Sequence, residues 1–176
     1  FRSCSNINSI EFLGDTGSVE LTIETRAFHG CKNLTKITLP ANLVSLGKYA
    51  FGDCAIYSNS VPLSKLTDVD VQVTKSEMGE DGTVRCNVLA VDAFRIDPES
   101  EYSRERIHTV ENVKIGAGVG IFDIGGVFGN MLQKVDVDVN NLNFASEDGV
   151  VYSKSFDEIM FYPSLKEGEF VLHETW

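Results

Sequence analysis

The chain is 176 residues long and 43% hydrophobic, enough for one domain with a real core and too apolar for a disordered segment. Its 15 basic against 26 acidic residues leave a net charge of −11, which argues against nucleic acid and anionic membrane surfaces, because phosphates are held by Lys and Arg. No run approaches the roughly 18 apolar residues of a membrane span, so no membrane insertion is expected; Phe1-Arg2-Ser3-Cys4 is no signal peptide, and a start in mid-repeat reads as a piece of something longer.

The first copy of a repeat runs from Phe1 through Cys4, Ile7 and Ile10 to Phe12. Phe28, Cys31, Leu34, Ile37 and Leu39 reproduce its spacing at every step. Between them LGDTGSVELTIETR is four residues longer than the corresponding later link, and Gly14-Asp15-Thr16-Gly17 is turn chemistry that accommodates the difference. Ala27-Phe28 with Cys31 returns as Ala50-Phe51 with Cys54, a shift of 23 residues. A fixed period of this size predicts a solenoid whose units bury their apolar faces by stacking on one another. Alternation puts Ile37 and Leu39 on one face of a half-buried strand and Lys36 and Thr38 on the other, and Pro40 ends it.

After Cys54 the period loosens. The insertion near 55–65 is expected as a loop, with the next strand at Leu66, Val69 and Val71. The segment near 72–91 holds two alternating runs around KSEMGEDG and predicts a projecting hairpin. Ala93-Phe94 restores the repeat, and the insertion near 95–109 is the most charged stretch, with Asp97-Pro98-Glu99 able to open a helical turn. A fourth strand follows at Val110, Val113 and Ile115. GAGVGIFDIGGVFGNM then repeats the layout of PANLVSLGKYAFGDC, placing Val119 for Leu43, Phe122 for Leu46 and Phe128 for Phe51, and Leu132, Val135 and Val137 make the fifth strand. GVVYS and EIMFYP predict a hairpin over 149–163, turned by Asp148-Gly149 and closed by Pro163. Phe170-Val171-Leu172 is expected to take the place of Ile37-Thr38-Leu39, with Trp176 on the register of Leu43. The whole of 1–176 therefore reads as one mostly β domain of about five coils and a partial sixth, whose uncapped ends invite association.

The pattern A-F-x2-C-x2-L-x2-I-x-L-P-x2-L-x2-[IL]-G-x2-A-F, the tail N-x-F-x-S-x-D-G-V-V-Y-S-K and the following Y-P together resemble the BspA-like leucine-rich repeats of bacterial surface proteins, also found in some parasitic protists. The likeness is specific over residues 27–54 and 141–176 and loose over 55–109. It implies a curved right-handed leucine-rich-repeat solenoid with a parallel concave sheet and inserted β-hairpins, at the cell surface or extracellular. It also implies adhesion or recognition of protein or glycan partners, and it brings no catalytic residues. Val127-Phe128 in place of Ala-Phe, and Met131 near the Cys position, depart from the pattern.

Stacked strands predict two rows of exposed residues on the concave sheet: Glu11, Thr38, Asp70, Lys114 and Asp136, and beside them Ser9, Lys36, Asp68, Asn112 and Lys134. This face is the candidate binding surface, although mixed charges also suit a plain solvated sheet. Phe1, Phe28, Phe51, Phe94 and Phe128 with Cys4, Cys31 and Cys54 are structural repeat positions. Those cysteines, with Cys86, read as buried thiols rather than bridges, and without a C-x-x-C pair no zinc cluster is expected. Asp136, Asp138, Asn140 and Glu147 imitate a calcium loop, but Asn141 stands where Gly belongs and the valines alternate as a strand, so no metal and no cofactor are assigned.

No enzyme is expected. His29, His108 and His173 lie on separate turns, with His29 read as solvent-facing, and no nucleophile elbow occurs. Glu99 with Glu101, and Asp157 with Glu158, read as solvated loop charges. Gly116-Ala117-Gly118-Val119-Gly120 lacks the Lys-Ser/Thr ending of a phosphate loop. Tyr152, Phe156, Phe161, Tyr162 and Trp176 offer the alternative of a carbohydrate-binding accessory, with half at least expected in the core. The other alternative is a passive spacer.

Overall fold

The computed structural model describes residues 1–12, 19–74, 77–78, 84–85, 92–101, 109–120 and 123–171. In chain order its elements are β1 (Leu21–Ile23), β2 (Lys36–Leu39), β3 (Leu43–Leu46), β4 (Tyr57–Ser58), β5 (Val61–Pro62), β6 (Asp68–Val71), β7 (Glu77–Met78), β8 (Val84–Arg85), β9 (Asn112–Ile115), α1 (Ile124–Phe128), β10 (Lys134–Val137), β11 (Phe144–Glu147), β12 (Val150–Ser153) and β13 (Ile159–Phe161). The fold is mostly β and built on a repeat.

Four strands, one from each of four repeats, form a parallel sheet in the order β10-β9-β6-β2. The register is continuous: Lys36 pairs with Asp68, Asp68 with Asn112, and Asn112 with Lys134, and so on through Leu39, Val71, Ile115 and Val137. A single bridge from Ser9 to Lys36 brings the first repeat alongside β2. Parallel pairing needs a long crossover between partners, and here a whole repeat supplies it. On a second side β1 pairs with β3, Thr22 opposite Ser45 and Ile23 opposite Leu46. At the phenylalanine turns the Phe28 N–H donates to the Ala50 carbonyl at 2.8 Å and the Phe51 N–H to that of Ala93 at 2.9 Å. Successive windings are thus tied by backbone bonds on more than one side, which leaves few peptide groups unpaired as the chain turns.

Inside the ladder the repeat phenylalanines stack face to face. Phe1 lies 5.5 Å from Phe28, Phe28 lies 5.3 Å from Phe51, and Phe51 lies 5.3 Å from Phe94, with interplanar angles of 8°, 8° and 15°. Phe128 keeps the 5.3 Å spacing but tilts to 53°. The tilt falls where α1 replaces the turn seen in other repeats, with Asp123 capping the helix by accepting from the Gly126 N–H at 2.9 Å. A Cβ on Gly126 would strike that carboxylate, so the glycine makes room for the cap. Leu34, Leu66, Val110 and Leu132, equivalent in the repeat, are all fully buried, while Ile7 on the outermost winding is half-buried. The thiols follow the same step. Cys31 donates to the Phe1 carbonyl at 3.4 Å and Cys54 to that of Phe28 at 3.0 Å, and both are free and fully buried. The neighbouring Cys54 thiol draws the Cys31 thiol down to about 7, and Cys31, with burial, pushes Cys54 up.

The windings approach closely enough to exclude side chains at two points. A Cβ at Gly47 would fall on the backbone of Thr25, and one at Gly116 would stand 2.5 Å from the Val71 carbonyl oxygen.

Several elements differ from the sequence expectation. β1 and β3 were not expected as strands: Leu43 and Leu46 are three apart, not two, and the pairing holds them extended. The 55–65 insertion is a small hairpin, β4 against β5, turned by Asn59 and Ser60 with φ of 51° and 64°. The 72–91 segment holds an antiparallel pair as a hairpin requires, β7 against β8, but β7 falls inside the KSEMGEDG stretch that was read as the connection. The 149–163 hairpin gains β11 as a third strand, so β12 is central and buried from Val150 to Tyr152, and the turn is Asp148-Gly149 with φ of 49° and 78°. Phe170 and Val171 are exposed and in no strand, against the expected sixth repeat strand, and residues 172–176 lie outside the described residues, as do Cys86 and Phe122.

The charged insertion after Phe94 is pinned by an ion pair. Asp97 aligns with the cysteine slot of the repeat and is buried; Arg26 donates to it through Nε at 2.6 Å and Nη2 at 3.1 Å, and also reaches Glu99 at 3.1 Å. Asp97 opens a single hydrogen-bonded turn: its carbonyl accepts the Ser100 N–H at 2.9 Å, its carboxylate accepts the Glu99 N–H, and its own N–H donates to Asp53. Burial pushes the Asp97 carboxyl up more than any other single influence, but the Arg26 hydrogen bonds, the Glu99 N–H and the Arg26 charge together outweigh it and hold the group below its ordinary value.

Two stability outcomes follow. Phe51→Ala, which opens the middle of the ring stack, is expected to cost about 3–5 kcal/mol in urea denaturation, while Phe51→Leu costs less. Arg26→Met strands a buried carboxylate and is expected to cost up to about 3 kcal/mol at neutral pH. Because the folded Asp97 value is depressed, its contribution is fully present above the ordinary 3.8 and lost as pH falls below it; denaturation at pH 3 should find wild type and Arg26→Met closer together than at pH 7.

Candidate interaction surface

Strand alternation decides what the parallel sheet shows to solvent. Ile37, Leu39, Val69, Val71, Val113, Ile115 and Val135 point into the core. On the opposite face Lys36, Asp68, Asn112 and Lys134 fall in one row across the sheet, and Thr38, Asp70, Lys114 and Asp136 in the next. Ser9 continues the first row through its bridge to Lys36, and Glu11 is exposed two residues on. All ten predicted face residues are thus brought to one side except Glu11, which no strand fixes in register.

Charge is graded along the strands. The row at the strand starts carries Lys36 and Lys134 against Asp68, whose Oδ2 accepts the Thr67 hydroxyl at 2.6 Å. The row nearer the strand ends carries Asp70 and Asp136 against Lys114, and Asp138 follows at the rim. Gln72 Nε2 donates to Asp70 at 3.3 Å, and Lys134 Nζ pairs with Asp136 at 2.9 Å. A depression of about 500 Å³ opens at the acidic end, lined by Asp70, Gln72, Thr74, Lys114, Asp136 and Asp138 among others. A narrower one of about 50 Å³ lies between the two rows.

The remaining sequence candidates are structural. His29 is buried, not solvent-facing: the turn that carries it is covered by the next winding, and Gly52 sits against its ring. Its Nε2 lies 3.3 Å from Asp97 and 3.6 Å from Asp53, both buried, and neither ring nitrogen has a hydrogen-bond partner among the described residues. This cluster escaped the sequence reading because its members lie far apart in the chain. A polar residue in the cysteine slot at Asp97 was the signal available. His108 and His173 lie outside the described residues.

Asn141, in the calcium-like run, is fully buried. It donates to the Gly116 and Val119 carbonyls at 2.9 Å each and accepts from the N–H groups of Asn143 and Phe144, so it braces one winding against the next. Among the described residues no group of three or more His, Cys, Asp or Glu is placed to hold a metal ion. Of the aromatics, Tyr152 is buried and Tyr162 exposed, so they do not form one platform. Asp157 accepts from Ser153 and Ser155, which hold it below its ordinary value, and Glu101 is exposed. Among the described residues no helix is long and apolar enough to cross a membrane.

Comparison with known proteins matches part of the chain to a family model. The family model described as BspA type leucine rich repeat region, in 6 copies, matches residues 1–75. No curated protein matches the chain. Among solved structures it is similar to the pneumococcal vaccine antigen PcpA, at 27% identity and a TM-score of 0.45, over 88% of this chain and 31% of that one. It is also similar to a leucine-rich repeat protein from Eubacterium ventriosum ATCC 27560, at 20% identity and a TM-score of 0.45, over 84% of this chain and 37% of that one. The chain spans about a third of the length of these solved chains. Over residues 1–75 the chain is therefore similar to the BspA-type leucine-rich repeats.

Proposed function

We propose that this chain is a non-enzymatic recognition or adhesion module of a surface or extracellular protein, and that it binds a protein partner through the exposed face of its parallel sheet. The windings would continue as a curved right-handed solenoid with this sheet on its concave side. The inserted hairpins would add contacts of their own.

One observation carries the reading: across four strands the inward positions are closed by apolar side chains, while the outward positions are polar, in register and uncovered. A sheet face that none of the described residues closes over is free to be covered by something else, and its side chains can change without disturbing the core. The repeat family of residues 1–75 supports the same reading, because stacked repeats present extended surfaces suited to macromolecular partners. The −11 charge and the graded face favour a protein partner over a polyanion.

Beads coated with the chain and offered a panel of immobilised cell-surface and matrix proteins test this. Reversing charge at Asp70→Lys together with Asp136→Lys is expected to reduce attachment by about tenfold. Folding stability should stay within about 0.5 kcal/mol per site, as for surface substitutions generally. Attachment that survives the reversal would remove this face from consideration.

A further inference from the structure

We propose that the acidic end of this face takes a basic segment of the partner protein, with two cationic side chains seated on Asp70 and Asp136 and a neutral or acidic residue between them opposite Lys114. This rests on the sheet face being the contact surface and adds the chemistry of its occupant.

The register sets the spacing. Asp70, Lys114 and Asp136 are direct neighbours on three consecutive parallel strands. Such strands lie about 4.8 Å apart, so the backbone positions that carry the two aspartates stand about 9.6 Å from one another across the sheet. An extended β peptide presents same-side residues only every two positions, roughly 6.7 Å, and misses this distance. A polyproline II segment rises about 3.1 Å per residue with three residues per turn, so residues three apart share a side about 9.3 Å from one another. Two basic residues at that interval therefore match the two aspartates, and Lys114 repels a third cation placed between them.

The surroundings favour the same occupant. Asp138 adds a third carboxylate at the rim, and the depression of about 500 Å³ leaves room for long side chains beside Gln72 and Thr74. Asp136 is already paired with Lys134, but that pair is exposed, and exposed pairs are held by only about 0–1 kcal/mol, so an incoming cation competes with it. The net charge of −11 steers a basic segment toward the protein before contact, and salt screens that attraction.

Amide NMR titration of the intact chain at low salt tests the proposal with two synthetic peptides, Ac-Pro-Arg-Pro-Pro-Arg-Pro-amide and its rearrangement Ac-Pro-Pro-Arg-Arg-Pro-Pro-amide. The spaced peptide is expected to shift the amides around Asp70, Lys114 and Asp136 and to bind about fivefold more tightly than the adjacent one. That preference is expected to vanish in Asp70→Asn with Asp136→Asn, whose unperturbed spectrum elsewhere reports an intact fold. Equal affinity for the two peptides, or shifts scattered over the acidic surface, would show general charge attraction and overturn the proposal. If neither peptide binds while charge reversal still abolishes bead attachment, the face stands and the basic occupant falls. If attachment also survives reversal, the reading beneath it falls as well.

Discussion

Everything in this structure depends on one winding lying in register on the next. No repeat has enough apolar surface to enclose its own core; Phe51 is fully buried because Phe28 covers one face of its ring and Phe94 the other. The backbone obeys the same constraint, since β2 finds hydrogen-bond partners in β6, and β6 in β9, rather than within its own repeat. Ring stack, thiol ladder and parallel sheet are consequences of the same translation from one winding to the next. The glycines at positions 47 and 116 mark where that translation brings backbones too close for a side chain.

That constraint also explains which parts were legible in the sequence. The strands β2, β6, β9 and β10 announce themselves because apolar residues alternate along them and a buried leucine or valine precedes each by a few residues. Ile37 and Leu39, or Val113 and Ile115, show their burial in two-residue periodicity. β3 shows no such alternation and becomes a strand only by pairing, whereas Val19, Leu21 and Ile23 alternate into β1 within a stretch read as the link between two repeats. The face residues could be named in rows because register follows once equivalent positions are known; their partner could not, because solvent-facing positions carry no packing constraint from within the chain.

The buried polar groups were harder for a different reason. Arg26 and Asp97 are 71 positions apart, and only the stacking of windings brings guanidinium and carboxylate together. Read locally, Asp97-Pro98-Glu99 looks like a helix start and His29 looks like a turn residue at the surface. Both expectations treat a turn as exposed by default, whereas in a stack the next winding roofs it. α1 was obscured by Gly125 and Gly126, poor helix formers, and the second is needed to admit the Asp123 cap.

The thiols carry a consequence for the motion of the molecule. Cys31 and Cys54 are wholly shielded and each sulfur rests beneath a carbonyl of the preceding winding. A reagent such as a maleimide reaches either one only when two windings part, so its uptake rate measures how often that seam breathes. The repeat has thereby placed a chemical clock at successive floors of its own stack.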